Sequence, residues 1–167
     1  MAKVHLMIGI QGSGKSTFAN SLSKEKSIQI ISTDRVRQAH PDWKEELIWP
    51  EVYKLTADNL KQGNDIIFDA TNITVKVRTR FLTNVLEHFE NASIDKLPFE
   101  YIGYLFKVDP KLCMKRVEKR NQNPNELFLP PEVVFSYHER LEEPTYNEPF
   151  NKIYNIINNE IIKEISK

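Results

Sequence analysis

A single cysteine, Cys113, occurs in 167 residues. That excludes an internal disulfide framework and any multi-cysteine metal site. With Leu112 and Val117 in a helical pattern around it, Cys113 reads as a buried thiol rather than a reactive one. There is no charge excess either: Lys+Arg and Asp+Glu number 23 each. Such a balance gives no global attraction to nucleic acid, so a polynucleotide partner has to be held by a local basic groove. No apolar run reaches membrane-spanning length, and the N-terminus lacks the basic and apolar stretches of a secretory leader. The expectation is therefore a cytoplasmic protein with no membrane partner. His5, His40, His88 and His138 are scattered without metal-ligand spacing and carry no assigned role. Glycine is scarce, at five residues, yet three of the five fall between positions 9 and 14.

Those three belong to Gly9-Ile-Gln-Gly-Ser-Gly-Lys-Ser16, which satisfies G-x-x-x-x-G-K-[ST], a phosphate-cradling loop. The motif requires a strand before it and a helix after it. Val4 to Ile10 supplies the apolar strand, and Thr17 to Leu22 continues as a helix with Phe18, Ala19 and Leu22 on one face. Gly9, Gly12 and Gly14 let the backbone curl so that successive N–H groups, including that of Ser13, point inward. The helix opening at Lys15 adds unpaired N–H groups and a positive dipole end. Lys15 brings a mobile cation to the β- and γ-phosphates of a nucleoside triphosphate, and the Ser16 hydroxyl is a hard oxygen ligand for Mg²⁺.

The rest of the chain alternates strand and helix. Ser27–Thr33 reads as a second strand, with Asp34 capping a helix through Gln38. A longer helix opens at Pro50 and stops near Gly63. Asp65–Ala70 is a third strand, wholly apolar in its middle as a buried parallel strand should be. A helix follows over 74–90, with Phe81, Leu82, Val85, Leu86 and Phe89 on one stripe. Phe99–Val108 is a fourth strand. Asp109-Pro110 opens a helix through Arg120, a polar break covers 121–126, Pro130-Pro131 starts another helix, and Phe150–Ile157 is the last strand. This pattern predicts one α/β domain over 1–167, a parallel sheet covered by helices on both faces. The carboxyl ends of its strands form one ligand-binding rim, on which the phosphate loop, Asp34 and Asp69 fall.

Phosphoryl transfer needs positioning, charge neutralisation and a base for the incoming hydroxyl. Asp34, ending the strand after the phosphate-loop helix, is the candidate base; a helix cap is its plainer role. Arg37, one turn on, can hold an anionic substrate or lie solvated on the surface. Asp69 ends an apolar strand, where a second acid near Mg²⁺ belongs. No Glu follows it, so the Asp-Glu pair of motor ATPases is missing. Thr71 and Asn72 bind substrate or turn the chain, and the residues leave both open. Arg116 and Arg120 share one helical face ahead of the polar break, suiting a lid that closes on phosphates, although with Lys115 and Lys119 they also fit a solvated basic face. Lys76, Arg78 and Arg80, at a helix start after Asp69, would form a local cationic track for a phosphodiester strand. Trp43 and Trp49 fit core packing better than a substrate groove.

Together, Gly12-Ser-Gly-Lys-Ser-Thr17, Thr33-Asp-Arg-Val-Arg-Gln38, Phe68-Asp-Ala-Thr-Asn72 and Lys115-Arg-Val-Glu-Lys-Arg120 resemble the phosphate-loop kinases related to polynucleotide 5′-hydroxyl kinases. The resemblance spans essentially the whole chain. It implies an ATP- and Mg²⁺-dependent kinase whose acceptor is the 5′ end of a nucleic acid. It further implies Asp34 as general base, Arg37 on the substrate phosphate, Asp69 organising the site, Thr17 at the α-phosphate, and Arg116 and Arg120 as the ATP lid. Two positions depart from the pattern: Gln11 stands where the phage kinases resemble a proline, and Thr33 where they tend to carry a basic residue. No Asp-x-Asp-Gly-Thr phosphatase signature accompanies the kinase motifs. Zeta-toxin-like kinases, which phosphorylate sugar nucleotides, share the loop, the acid and the lid arginines, so a small-metabolite acceptor is the alternative. A non-catalytic nucleotide switch is a third reading. The nearest match to the guanine-reading Asn-Lys-x-Asp, Asn151-Lys-Ile-Tyr154, lacks the Asp, and five glycines leave no second glycine-rich signature of transporter ATPases.

Overall fold

A computed structural model describes residues 1–167. Strands β1 (Lys3–Ile8), β2 (Gln29–Ile31), β3 (Ile66–Phe68), β4 (Glu100–Phe106) and β5 (Lys152–Ile157) are joined by helices α1 (Lys15–Lys26), α2 (Thr33–Ala39), α3 (Ile48–Lys61), α4 (Val75–Leu86), α5 (Pro110–Asn121) and α6 (Val133–Arg140). A sixth strand, β6 (Glu160–Glu164), returns along β5. The sheet order is β2-β3-β1-β4-β5-β6. All pairings are parallel except β5–β6.

Period-two alternation sorts side chains between the two faces of this sheet. Val4, Leu6 and Ile8 of β1 point to one face with Phe68, Phe81, Val85 and Val52, under α3 and α4. Met7 points to the other, with Ile67, Tyr104, Phe18 and Ala19, under α1. Both faces are therefore dry, which is why β3 reads as an unbroken apolar run and β1 is interrupted only by His5, itself buried and hydrogen-bonded to Tyr104. A third, smaller cluster joins Cys113 and Val117 of α5 to Ile10, Ile73 and Val134. It fixes α5 and α6 against the rim. Burial raises the pKa of the Cys113 thiol, in keeping with an inert packing residue.

Several sequence expectations shift. The parallel sheet holds for five strands, but the chain adds the antiparallel β6. Its turn uses Asn158 and Asn159, both left-handed at φ 51° and 65°, the conformation a two-residue hairpin requires. The helix expected to reach Glu90 ends at Leu86, and the chain reverses through Asn91 at φ 57°. The second strand shrinks to three residues because the left-handed Ser27 (φ 55°) still caps α1 and Ser32 already caps α2. Trp49 packs against the core, near-parallel to Phe68 at 6.0 Å between ring centroids, as expected; Trp43 stacks on His40 at 3.6 Å.

Candidate active site

A cleft of about 1110 Å³ opens over the carboxyl ends of the strands. Its floor is the turn between β1 and α1. Gly12 has φ 78°, and a Cβ there would fall 2.5 Å from the Cys113 carbonyl oxygen, so α5 packs directly on the loop. Gly14, at φ 98°, precedes the helix without any side-chain cap. The first-turn N–H groups of α1 are thus left to an external acceptor. Gly9 meets a different constraint: a Cβ would lie 2.8 Å from Ser13 Oγ and 3.0 Å from Phe106 Cβ.

Lys15 is buried beneath the loop, its Nζ donating to the Ile10 carbonyl at 2.7 Å. Desolvation lowers its pKa to about 8, with Asp69 acting in the opposite direction. The Ser13 hydroxyl is buried with no partner. A buried cation satisfied only by a carbonyl, an orphaned hydroxyl and an uncapped helix start fit a phosphate chain. Ser16 Oγ donates to Asp69 Oδ2 at 2.8 Å, pairing a hydroxyl and a carboxylate of the kind Mg²⁺ takes alongside waters.

Asp34 reaches the cleft from α2, with a side chain 75% exposed. It is not the helix cap. Ser32, in extended conformation, accepts from Arg35 N at 3.1 Å and caps α2, leaving Asp34 free of that duty. Thr17, Thr71, Arg116 and Arg120 also line the cleft. Arg116 Nη1 donates to the Gly12 carbonyl at 3.0 Å, so α5 already rests on the phosphate loop. Beyond Arg120, Asn121 clasps Leu129 with both ends of its amide, Nδ2 to the carbonyl at 2.7 Å and the Leu129 N–H to Oδ1 at 2.9 Å.

Three expected substrate residues sit elsewhere. Arg78 is buried, 1% exposed. Its guanidinium forms a two-pronged pair with Glu148 (2.8 and 3.0 Å) and donates to the Asn72 carbonyl at 2.7 Å. Burial of such a cation requires a full set of partners, and Arg78 has them within the fold, so the cationic track on that helix dissolves. Asn72 is also buried, left-handed at φ 47°, with Nδ2 donating to the Met7 carbonyl at 2.8 Å. It turns the chain, while the neighbouring Thr71 carbonyl accepts from Gly9 N at 2.9 Å. Arg37 does not line the cleft. It binds Asp34 at 2.8 Å and Glu45, and the Glu45 bond raises its pKa further.

Sequence reasoning missed Asn20, Arg35 and Gln38 on the cleft wall, and the 156–159 turn that closes one end. The signal for the turn was present: Asn158-Asn159 between Ile156-Ile157 and Glu160-Ile-Ile162 is a hairpin pattern.

A family model described as AAA domain matches residues 4–144. The chain belongs to that family. A search of curated proteins returns no significant match. Among solved structures, the chain is similar to one from the Pnkp1/Rnl/Hen1 RNA repair complex, at TM-score 0.68 and 22% identity, covering 84% of this chain and 44% of that one. It is similar to a fungal RNA kinase at TM-score 0.66 and 18% identity, covering 93% and 74%. A sugar kinase from a Janibacter species matches at TM-score 0.62 and 15% identity, covering 93% and 86%. At these identities the likeness is one of fold, and the fold is that of phosphate-loop kinases. No helix is long and apolar enough to cross a membrane.

Proposed function

We propose that residues 1–167 form one kinase domain that transfers the γ-phosphate of ATP to a hydroxyl, with the 5′-hydroxyl of a polynucleotide as acceptor. The observation that carries the reading is the placement of Asp34 on the same cleft as Lys15 and the Ser16–Asp69 pair. An exposed carboxylate there can accept the proton of a hydroxyl presented to the γ-phosphate. Ser16 and Asp69 would hold Mg²⁺, which would supply charge to neutralise phosphate oxygens. Lys15, the loop N–H groups, Ser13 and Thr17 orient the phosphates. Arg116 and Arg120 form the lid, and Arg120, which has no partner within the fold, supplies charge to the transferring group.

The acceptor assignment draws support from the RNA-kinase folds, and its rival draws support from an observation of equal standing. With Arg78 inside the core, a net charge of zero is not offset by the expected track, and a small sugar-type acceptor has no need of one. The deciding experiment is label transfer from γ-labelled ATP to a panel of 5′-hydroxyl oligonucleotides, sugars and sugar nucleotides. Labelled oligonucleotides are the expected product. Labelling of sugar-type acceptors alone would leave the kinase reading and remove the polynucleotide one.

A further inference from the structure

Beside the main cleft lies a second cavity of about 500 Å³, at the free edge of β2 between the end of α1, α2 and α3. The two cavities share Ser32, Arg35 and Gln38 as lining residues, so one groove continues into the other. Its α1 side is marked by Ser16 and Asn20 in the cleft and Ser23 in the second cavity, spaced four and three residues and hence on one helical face. Arg35 reaches across this groove toward Asn20 Oδ1, a long contact of 3.4 Å. Unlike Arg37, it pairs with no carboxylate, and no acidic residue lines the second cavity. Ile30, Val36, Ala39 and Leu55 give that cavity an apolar wall, while Gln29, Gln38 and His40 offer donors and acceptors.

Resting on the polynucleotide reading, we infer that the second cavity seats the terminal base of a single-stranded acceptor, with Arg35 holding the first internucleotide phosphate while the 5′-hydroxyl lies at Asp34. An apolar wall suits the face of a base, and amide and imidazole groups suit its edge. An arginine paired with no carboxylate, at the mouth of a cavity lined by no acid, suits one phosphate. The volume falls in the range of small-ligand sites. A base held there is out of its duplex, so the enzyme acts on frayed or single-stranded ends in preference to blunt ones.

Two variants fill the cavity from β2 and from α2, at exposed positions that do not line the main cleft: Gln29→Trp and Ala39→Trp. Each should raise KM for 5′-hydroxyl single-stranded oligonucleotides by about tenfold or more, with KM for ATP within about twofold of wild type and the melting temperature retained. Arg35→Gln should weaken the same acceptors and lower the salt slope of their binding by about 0.7, the value of one phosphate contact on a single strand. If the wild type labels oligonucleotides and both tryptophan variants keep its acceptor KM, the cavity proposal is overturned and the kinase reading stands. Equal use of blunt duplexes by the wild type overturns it too. A wild type that labels only sugar-type acceptors overturns this inference and the polynucleotide reading together.

Discussion

The Ser16 hydroxyl donates to the Asp69 carboxylate at 2.8 Å, joining the phosphate-loop helix to the end of β3. Two chain segments 53 residues apart thus present their oxygens side by side before any ligand arrives. Asp69→Asn keeps the acceptor oxygen for Ser16 but removes the charge. The expected outcome is a 10- to 100-fold loss of transfer at low Mg²⁺, of the order seen for groups that orient metal ligands, partly restored by raising Mg²⁺. Titrating the rate against Mg²⁺ checks this; an unchanged Mg²⁺ dependence would remove Asp69 from the metal site.

Lys15 links stability to pH. Its folded pKa of about 8 lies below its ordinary value of 10.5. Between those values the unfolded chain holds the proton and the folded one does not, so stability rises with pH across that window, and below pH 8 the buried charge is a full cost. Lys15→Met should therefore raise the melting temperature of the free protein at pH 7 while abolishing transfer. Each kcal/mol corresponds to about 2–4 °C in a chain of this size. A lowered melting temperature would show that Lys15 holds the loop together rather than waiting for an anion.

Asp34→Asn should cost about 10² to 10⁴ in rate, the usual loss for a general base. Ser32 provides the α2 cap and Asp34 is exposed, so the melting temperature should hardly move. An intact rate would assign the proton to water or to another group.

For Arg120→Ala, the proposed lid role requires turnover to fall by more than the affinity for ATP does, as for a charge that acts on the transferring phosphoryl rather than in ground-state binding. Comparing kcat with the ATP dissociation constant separates the two. A rise in KM for ATP with turnover untouched would make Arg120 a ground-state contact only.

Arg78→Ala strands Glu148 without its partner inside the fold. A loss of about 3–5 kcal/mol is expected, typical for breaking a buried pair from one side. In chemical denaturation the midpoint should drop. Wild-type stability coupled with weakened acceptor binding would instead restore Arg78 to the substrate path.

Local patterns made the phosphate loop, the strand–helix alternation and the rim positions of Asp34 and Asp69 legible. Each is set by spacing along the chain: three glycines within six consecutive positions, apolar runs bounded by turns, an acid at a strand end. Arg78 was illegible because its partner, Glu148, lies 70 residues away, and nothing in the run Lys76–Arg80 distinguishes an inward arginine from its outward neighbours. The α2 cap was misplaced by two residues because Ser32 and Asp34 are both good capping types, and only the extended backbone at Ser32 decides between them. Arg35 and Arg37 differ in the same way: the pairing of Arg37 with Glu45 depends on the turn between α2 and α3, which carries no periodic signal.

The grip of Asn121 on Leu129 has a mechanical result. A chain of nine residues is closed at its base by two bonds from one side chain, so its two ends stay joined to the helix that bears it. The segment is a closed loop on the end of α5, with Leu127 and Phe128 exposed on it. If Arg120 closes over the phosphates as proposed, two exposed apolar side chains would travel with the helix end that carries it.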